Sequence, residues 1–312
     1  MVDYGRPLRF GIGIGPAAAD FEPSLDLARL ADDMGLDYLA VQDRPYQPAQ
    51  LDVWTLLTYL LAHTESISVV PDVANLRVRP PALLAKAAAS LAAMADGRVQ
   101  LGVGAGAPPP QALPPQTTPT AGGAKPGGMD LVAFTEEAVG TLRRALRGEA
   151  VDAGSARHRV PGSGRIAGPT PPDPVEVWIG AAKPRMLSLV GRLGEGWVCP
   201  MNTDVPPQEA ARGHALIDVA ASAAGRDPGE VRRIYNVLGS IDSTRPSRGL
   251  AGTVNVWIDA LSRWAVGMGF DTFVFWPEGD QPAQLKVFAD EVVPGVRDRV
   301  AALREHPVTH VL

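Results

Sequence analysis

Apolar positions along the chain fall into short β-branched runs that alternate with longer stretches at helical spacing. Leu8 to Gly15 alternates aliphatic residues with glycine and predicts a first strand. Leu27, Leu30, Ala31 and Met34 then recur at helical spacing, and Gly35 ends that helix. Tyr38 to Val41 predicts strand two, Val53 to Ala62 a helix, and Ile67 to Val70 strand three. Pro80 and Pro81 mark a helix start, because the first turn needs no donor N–H there. Leu84, Ala88, Leu91, Ala92 and Ala95 form that helix's inner face, and Val99 to Val103 predicts strand four.

The second half repeats the alternation. Asp130 opens a helix with Leu131, Phe134, Ala138, Leu142 and Leu146 inward. Within the loop-rich stretch that follows, V-D-x-x-x-x-R-H-x-V from Val151 predicts a small hairpin. Val175 to Gly180, Gly196 to Cys199, Arg232 to Ile241 and Thr272 to Trp276 predict strands five to eight. Between them lie helices over Pro184–Leu193 and Gln208–Ala224, and a third marked by Trp257, Leu261, Trp264, Ala265 and Met268. Leu285, Phe288, Ala289 and Val292 mark the last helix, which Pro294 is expected to interrupt before Val296, Val300 and Leu303 resume. Strands alternating with helices call for a parallel sheet with helical cover. Eight such units in 312 residues predict one closed (β/α)8 barrel spanning residues 1–312.

One segment departs from this pattern. Residues 108–128 hold seven prolines and four glycines and show no apolar periodicity. The segment leaves strand four, where barrel enzymes keep their chemistry, and is read as a flap over the pocket mouth.

Composition narrows the partners. Apolar residues make up 46% and charged residues 20%, which suits a sizeable core. A net charge of −5 and no Lys/Arg run argue against a nucleic-acid footprint. No stretch is long enough for a membrane span, and the first residues do not read as a signal peptide, so a cytoplasmic protein is expected. Cys199 is the single cysteine and is expected to be a buried small hydrophobe. The expected partner is a small-molecule substrate, with a homodimer left open. No paired His, acidic cluster or Ser-His-Asp order suggests a metal or a triad. Of the histidines, His63, His158, His214, His306 and His310, none falls at a strand exit.

The chemistry-bearing candidates lie at strand exits. Strand two leaves through Gln42-Asp43-Arg44-Pro45-Tyr46-Gln47-Pro48. Asp43, Arg44 and Tyr46 are candidates for proton handling, although a guanidinium does not exchange protons near neutral pH, and Asp43 could simply pair with Arg44. Strand three leaves through Pro71-Asp72-Val73-Ala74-Asn75, residue types that suit a bulge or an ordinary turn. Gly102, Gly104 and Gly106, with Ala105 between the last two, would let backbone approach a planar ring or serve a tight turn. Gly180-Ala181-Ala182-Lys183-Pro184-Arg185 runs from a strand into a helix start, where N–H groups and a guanidinium can hold phosphate. Trp276, at the exit of strand eight, either faces a ring or packs at the barrel rim.

V-Q-D-x-P-Y-Q-P, P-D-V-A-N-L-x-x-R-P-P and W-I-G-A-x-x-P-R-M-L followed by G-R-L-x-x-G-W resemble the luciferase-like flavin and deazaflavin oxidoreductases. The resemblance is strongest at 35–106, 178–197 and 267–293 and absent at 107–128. It implies a luciferase-like TIM barrel using coenzyme F420 for hydride transfer to a C=C, C=N or C=O substrate. An FMN-dependent monooxygenase and a non-catalytic flavin-binding member are the alternatives. It further implies that Asp72, Val73, Ala74 and Asn75 form a bulge beneath the ring, with a cis peptide at Asp72–Val73. Gly104, Ala105 and Gly106 would lie near the ring or its side chain, and Gly180, Ala181, Ala182, Lys183 and Arg185 near the phosphate. On this view Gly104→Val blocks ring binding with little loss of fold. Two departures stand out: Arg44 replaces a histidine common in deazaflavin-using relatives, and Ala107 replaces an acidic or aromatic residue.

Overall fold

A computed structural model describes residues 3–106, 130–152, 164–171, 173–242 and 247–305. The proposed flap at 108–128 lies outside them, as do His158, His306 and His310. Eight parallel strands form the frame: β1 (Arg9–Ile14), β2 (Tyr38–Val41), β3 (Ser68–Pro71), β4 (Leu101–Gly104), β5 (Val177–Gly180), β6 (Gly196–Met201), β7 (Arg232–Ile241) and β8 (Thr272–Pro277). Their spatial order is β3-β2-β1-β8-β7-β6-β5-β4, and a short Ala74–Asn75 segment pairs with β4 as a ninth strand. Val69 closes the ring, accepting from the Gln100 N–H and donating to the Arg98 carbonyl, both at 3.0 Å. The helices outside are α1 (Phe21–Asp33), α2 (Val53–Leu61), α3 (Pro81–Met94), α4 (Leu131–Leu146), α5 (Pro184–Leu193), α6 (Pro207–Ala223), α7 (Val254–Met268), α8 (Gln281–Val287) and α9 (Val293–Glu305). This is the (β/α)8 barrel that the alternation predicts.

Strand periodicity decides what lies inside. Phe10, Ile12, Leu39, Val41, Val69, Leu101, Val103, Tyr235, Phe273 and Phe275 join the large cluster beneath the helices. Their alternates Tyr38, Ala40, Val70, Trp178, Val198, Ile234, Val274 and Trp276 form a separate cluster that fills the barrel. On β1 the inward alternates are Gly11 and Gly13. A Cβ at Gly13 would sit 2.1 Å from the Trp276 indole, so the glycine rhythm of β1 is the mould for that ring.

The helix starts follow the expected chemistry. Asp52 accepts from the Thr55 N–H at the start of α2 (3.0 Å), and Asp130 accepts from the Val132 N–H at the start of α4 (3.0 Å). Gly269 ends α7 in the left-handed region (φ 93°). Two local expectations are corrected. Pro294 does not interrupt the last helix: a π-helical turn over Phe288–Val292 joins α8 to α9, and the widened turn accommodates a residue that has no N–H to give. Val151–Asp152 does form a hairpin, but its partner is Arg165–Ile166, beyond the segment read from the sequence.

At the N-terminal ends of the strands, charged groups bond to one another. Asp271 is buried and accepts from the Arg233 N–H (2.9 Å), with Arg232 at 3.4 Å and Arg6 at 3.5 Å. Burial pushes the Asp271 carboxyl upward, against the pull of Arg232. In a barrel this end serves stability, and the opposite end is left for chemistry.

Candidate active site

Two adjoining hollows of about 370 and 310 Å³ open at the C-terminal ends of the strands. They share Gln42, Asp72 and Val73, so they are two halves of one cleft. One half runs past the β2 exit, the β3 bulge and Gly104 to Gly106; the other passes Gly180, Ala182, Met201, Asn236 and Trp276. The size suits a small-molecule site.

The Asp72–Val73 peptide is cis, as the resemblance implied. Three glycines surround the Val73 side chain. A Cβ at Gly104 would lie 2.7 Å from Val73 Cγ2, one at Gly180 3.2 Å from the same methyl, and one at Gly102 3.3 Å from Cγ1 and 2.2 Å from the Pro71 carbonyl oxygen. These glycines therefore seat the bulge itself. This corrects the expectation that Gly104→Val spares the fold: the added side chain would meet Val73 before any ligand.

Asp43 holds the bulge from the other side. Its carboxylate accepts from the Asn75 N–H (2.9 Å) and, through both oxygens, from Arg79 Nε and Nη2 (2.7 and 2.8 Å). Arg79 also reaches Asp52 at 2.6 Å. The Asp43 side chain is 1% exposed. The expected Asp43–Arg44 pair is thus replaced: Arg44 is exposed and donates to Gln42 (2.8 Å), because the β2 turn points it outward while Arg79 arrives from the head of α3. Asp43 is a brace, with three donors on its carboxylate. Tyr46 lines the cleft half-buried on the same loop. Asn75 turns its Oδ1 to the Arg77 N–H (3.0 Å), and a Cβ on Gly106 (φ 82°) would strike that oxygen at 2.1 Å. Arg77 Nε in turn donates to the Ala105 carbonyl at 3.3 Å.

Asp72 differs from Asp43. It is enclosed by protein and its remaining surface opens on the cleft, where burial pushes its carboxyl up to about 7, partly offset by a hydrogen bond from Asn236. Asn236 is itself fixed, donating to the Cys199 carbonyl (3.1 Å) and accepting from Trp276 Nε1 (2.8 Å). It sits where the register of β7 against β6 shifts, with Pro200 as the extra residue. Asn236, Pro200, Met201, Asp204 and Gln42 are cleft residues the sequence reading did not single out. A lone asparagine within the apolar run of β7 was the available signal for the first. Cys199 is fully buried behind them.

Gly180, Ala181 and Ala182 lie on the cleft wall. The Ala181 N–H is engaged with the Val198 carbonyl (3.3 Å), and the Ala181 carbonyl accepts from Trp197 Nε1 (2.9 Å). Lys183 precedes α5 and is exposed. Arg185 is also exposed and donates to Asp130 at the head of α4 (2.7 Å), outside the cleft lining. Its guanidinium holds the Asp130 carboxyl below the usual range. Among the described residues no group of His, Cys, Asp and Glu is arranged to hold a metal ion, and no helix is long and apolar enough to cross a membrane.

A parallel barrel with a bulged β3 exit and one small-molecule cleft at its C-terminal face defines the architecture. Residues 7–247 match the family model of the luciferase-like monooxygenases, and the chain belongs to that family. In sequence it is similar to the F420-dependent glucose-6-phosphate dehydrogenase of Kineococcus radiotolerans, 27% identical over 81% of this chain and 74% of that one. It is 30% identical to the 5,10-methylenetetrahydromethanopterin reductase of Methanolobus tindarius over 75% of this chain and 66% of that one. In structure it is similar to the coenzyme F420-dependent tetrahydromethanopterin reductase of Methanopyrus kandleri (TM-score 0.76, 18% identity, covering 93% and 99% of the two chains). It is also similar to the FMN-bound oxygenating component of 3,6-diketocamphane monooxygenase of Pseudomonas putida (TM-score 0.72, 17% identity, 93% and 99%). At these identities the structural likeness speaks for the fold.

Proposed function

We propose that this protein is a coenzyme F420-dependent oxidoreductase, passing hydride between the deazaflavin ring and a small C=C, C=N or C=O substrate. The observation that carries this reading is the cleft built on the Asp72–Val73 bulge, in a chain whose sequence relatives named above are F420-dependent or reduce a methylene-pterin. The residues fit such a group. Val73 and Ala74 offer an apolar shelf backed by Gly104 and Gly180, and Trp276 walls the far side, held by Asn236. The N–H groups of Ala182 and Lys183 at the head of α5 are the proposed phosphate donors, since Ala181 is already engaged, and Arg185 adds charge when it leaves Asp130.

When bound, the deazaflavin supplies the hydride chemistry. The chain's own part is to orient and to exclude water. Asp43 and Arg79 keep the shelf in place, Asn236 keeps Trp276 upright, and the apolar surfaces of Val73 and Ala74 dry the ring face. The test is incubation of the purified protein with F420 or with FMN, gel filtration, and the visible spectrum of what is retained. Retention of F420, followed by reduction with a carbonyl or imine panel, is the expected result. Retention of FMN alone would move the reading to an FMN-dependent monooxygenase, which the FMN-bound structural neighbour favours.

A further inference from the structure

Asp72 stands on the wall shared by both halves of the cleft, so a ring seated on the Val73 shelf would cover its remaining open surface. No cation faces it. From the β2 exit come Asp43, locked to Arg79, with Arg44 turned to Gln42, and Tyr46. From the β3 exit come Arg77, bonded to Ala105, and Arg79, spent on Asp43 and Asp52. From the β6 exit comes Asp204, exposed and of like charge. Of the described residues lining the cleft, β7 and β8 supply the uncharged Asn236 and Trp276. The Asn236 amide donates to the Cys199 carbonyl (3.1 Å) and, of the groups near Asp72, is the one that draws its carboxyl downward. A carboxylate covered by an apolar ring in this setting would lose its water and gain no counter-charge from the described residues, whereas a carboxylic acid would lose little.

We propose, resting on the cofactor reading above, that Asp72 is a proton-linked positioning residue: the ring seats over the neutral carboxylic acid, and each binding event on ionised protein takes up one proton from solvent. The balance is ionised protein, plus ring, plus one proton, giving the complex with a neutral Asp72. Nothing is oxidised or reduced in the step. The free protein already holds this carboxyl poised near neutrality, with its pKa pushed up to about 7, and the covered form is pushed higher still.

The probes are F420 and FMN, titrated into the full chain from pH 5.5 to 9. At pH 8, where about nine-tenths of the free protein is ionised at Asp72, calorimetry in buffers of different ionisation enthalpy is expected to show uptake of about 0.9 proton. Affinity should be flat below pH 6.5 and fall by about tenfold per pH unit above 7.5. In Asp72→Asn, which keeps the shape without the charge, both the uptake and the slope should vanish. Independently of any ligand, infrared titration of the free protein should show one acid carbonyl band that is lost near pH 7 and missing in Asp72→Asn. Binding with no proton uptake, or with the same slope in Asp72→Asn, would overturn the proposal while leaving the cofactor reading intact. Failure of both rings to bind at every pH would overturn the cofactor reading and this proposal with it.

Discussion

The brace beneath the bulge gives the sharpest test of how the site is held. Asp43→Ala removes three acceptor contacts at once: the Asn75 N–H and two guanidinium donors of Arg79. Asn75 is 5% exposed, so its N–H is left without a partner where water is scarce, at a cost of about 1–3 kcal/mol. Arg79 keeps Asp52 on one nitrogen, and this holds its part of the loss below the roughly 3–5 kcal/mol of a fully broken buried pair. Together these set the expected destabilisation at about 3 kcal/mol. At about 2 °C per kcal/mol for a domain of this size, the melting temperature should fall by about 6 °C. Urea unfolding with linear extrapolation gives the free energy, and calorimetry the temperature. Arg44→Ala, beside it in sequence, should stay within about 0.5 kcal/mol, because Arg44 is exposed and, among the described residues, reaches Gln42 alone. A double-mutant cycle should place the coupling between Asp43 and Arg79 and none between Asp43 and Arg44. If Asp43→Ala loses under 1 kcal/mol, or if Arg44→Ala loses as much, the brace is misassigned.

Three further outcomes are expected. Gly104→Ala places a Cβ 2.7 Å from Val73 Cγ2 and should cost about 1–3 kcal/mol by thermal melt, with Val73→Ala in the same chain restoring most of it; an unperturbed single variant would show that the shelf has room. His214 is buried against Trp197 and Phe270 with neither ring nitrogen partnered among the described residues, and burial, then the Arg233 charge, pushes its pKa well below the usual value. The unfolded chain therefore binds this proton first, so stability is full above about pH 6.5 and declines as pH falls below it, by up to about 1.4 kcal/mol per unit; in His214→Leu the decline from this group should disappear from urea midpoints measured between pH 7 and 5. Arg185→Ala should weaken F420 binding by about tenfold to a hundredfold in a titration, and equal affinity would move the phosphate elsewhere on the rim.

The strands and helices were legible in the sequence because each follows from local periodicity. The alternation of apolar residues with glycine in β1 even carried, unread, the shape of Trp276. Contacts across the chain were not legible. The partner of Asp43 lies far along the sequence at Arg79, and nothing in the Gln42–Pro48 loop shows that Arg44 turns away from it. The π-helical turn before Pro294 was hidden for a related reason: proline forbids a regular α turn, and the sequence does not say whether the chain breaks or widens. The glycines within and just after β4 were read as room for a ring or as a tight turn, whereas what approaches them is Val73 and Asn75 of the same chain. Asp72 was placed at the bulge by resemblance. The upward push on its carboxyl could not be read there, since it depends on how far the folded chain buries it.

The interlock of Gly13 with Trp276 and of Gly104 with Val73 has a bearing on how such a cleft can be redesigned. Each pair is a plug and its socket, one member at a strand exit and the other on a neighbouring strand. Enlarging a socket residue alone collides with its plug, and trimming a plug alone leaves a hole that the rigid strand does not fill. Randomising the cleft one position at a time would therefore reject nearly every change at these four positions, whatever its effect on a ligand. Libraries that exchange the two members of a pair together would reach cleft shapes that stepwise mutation does not visit.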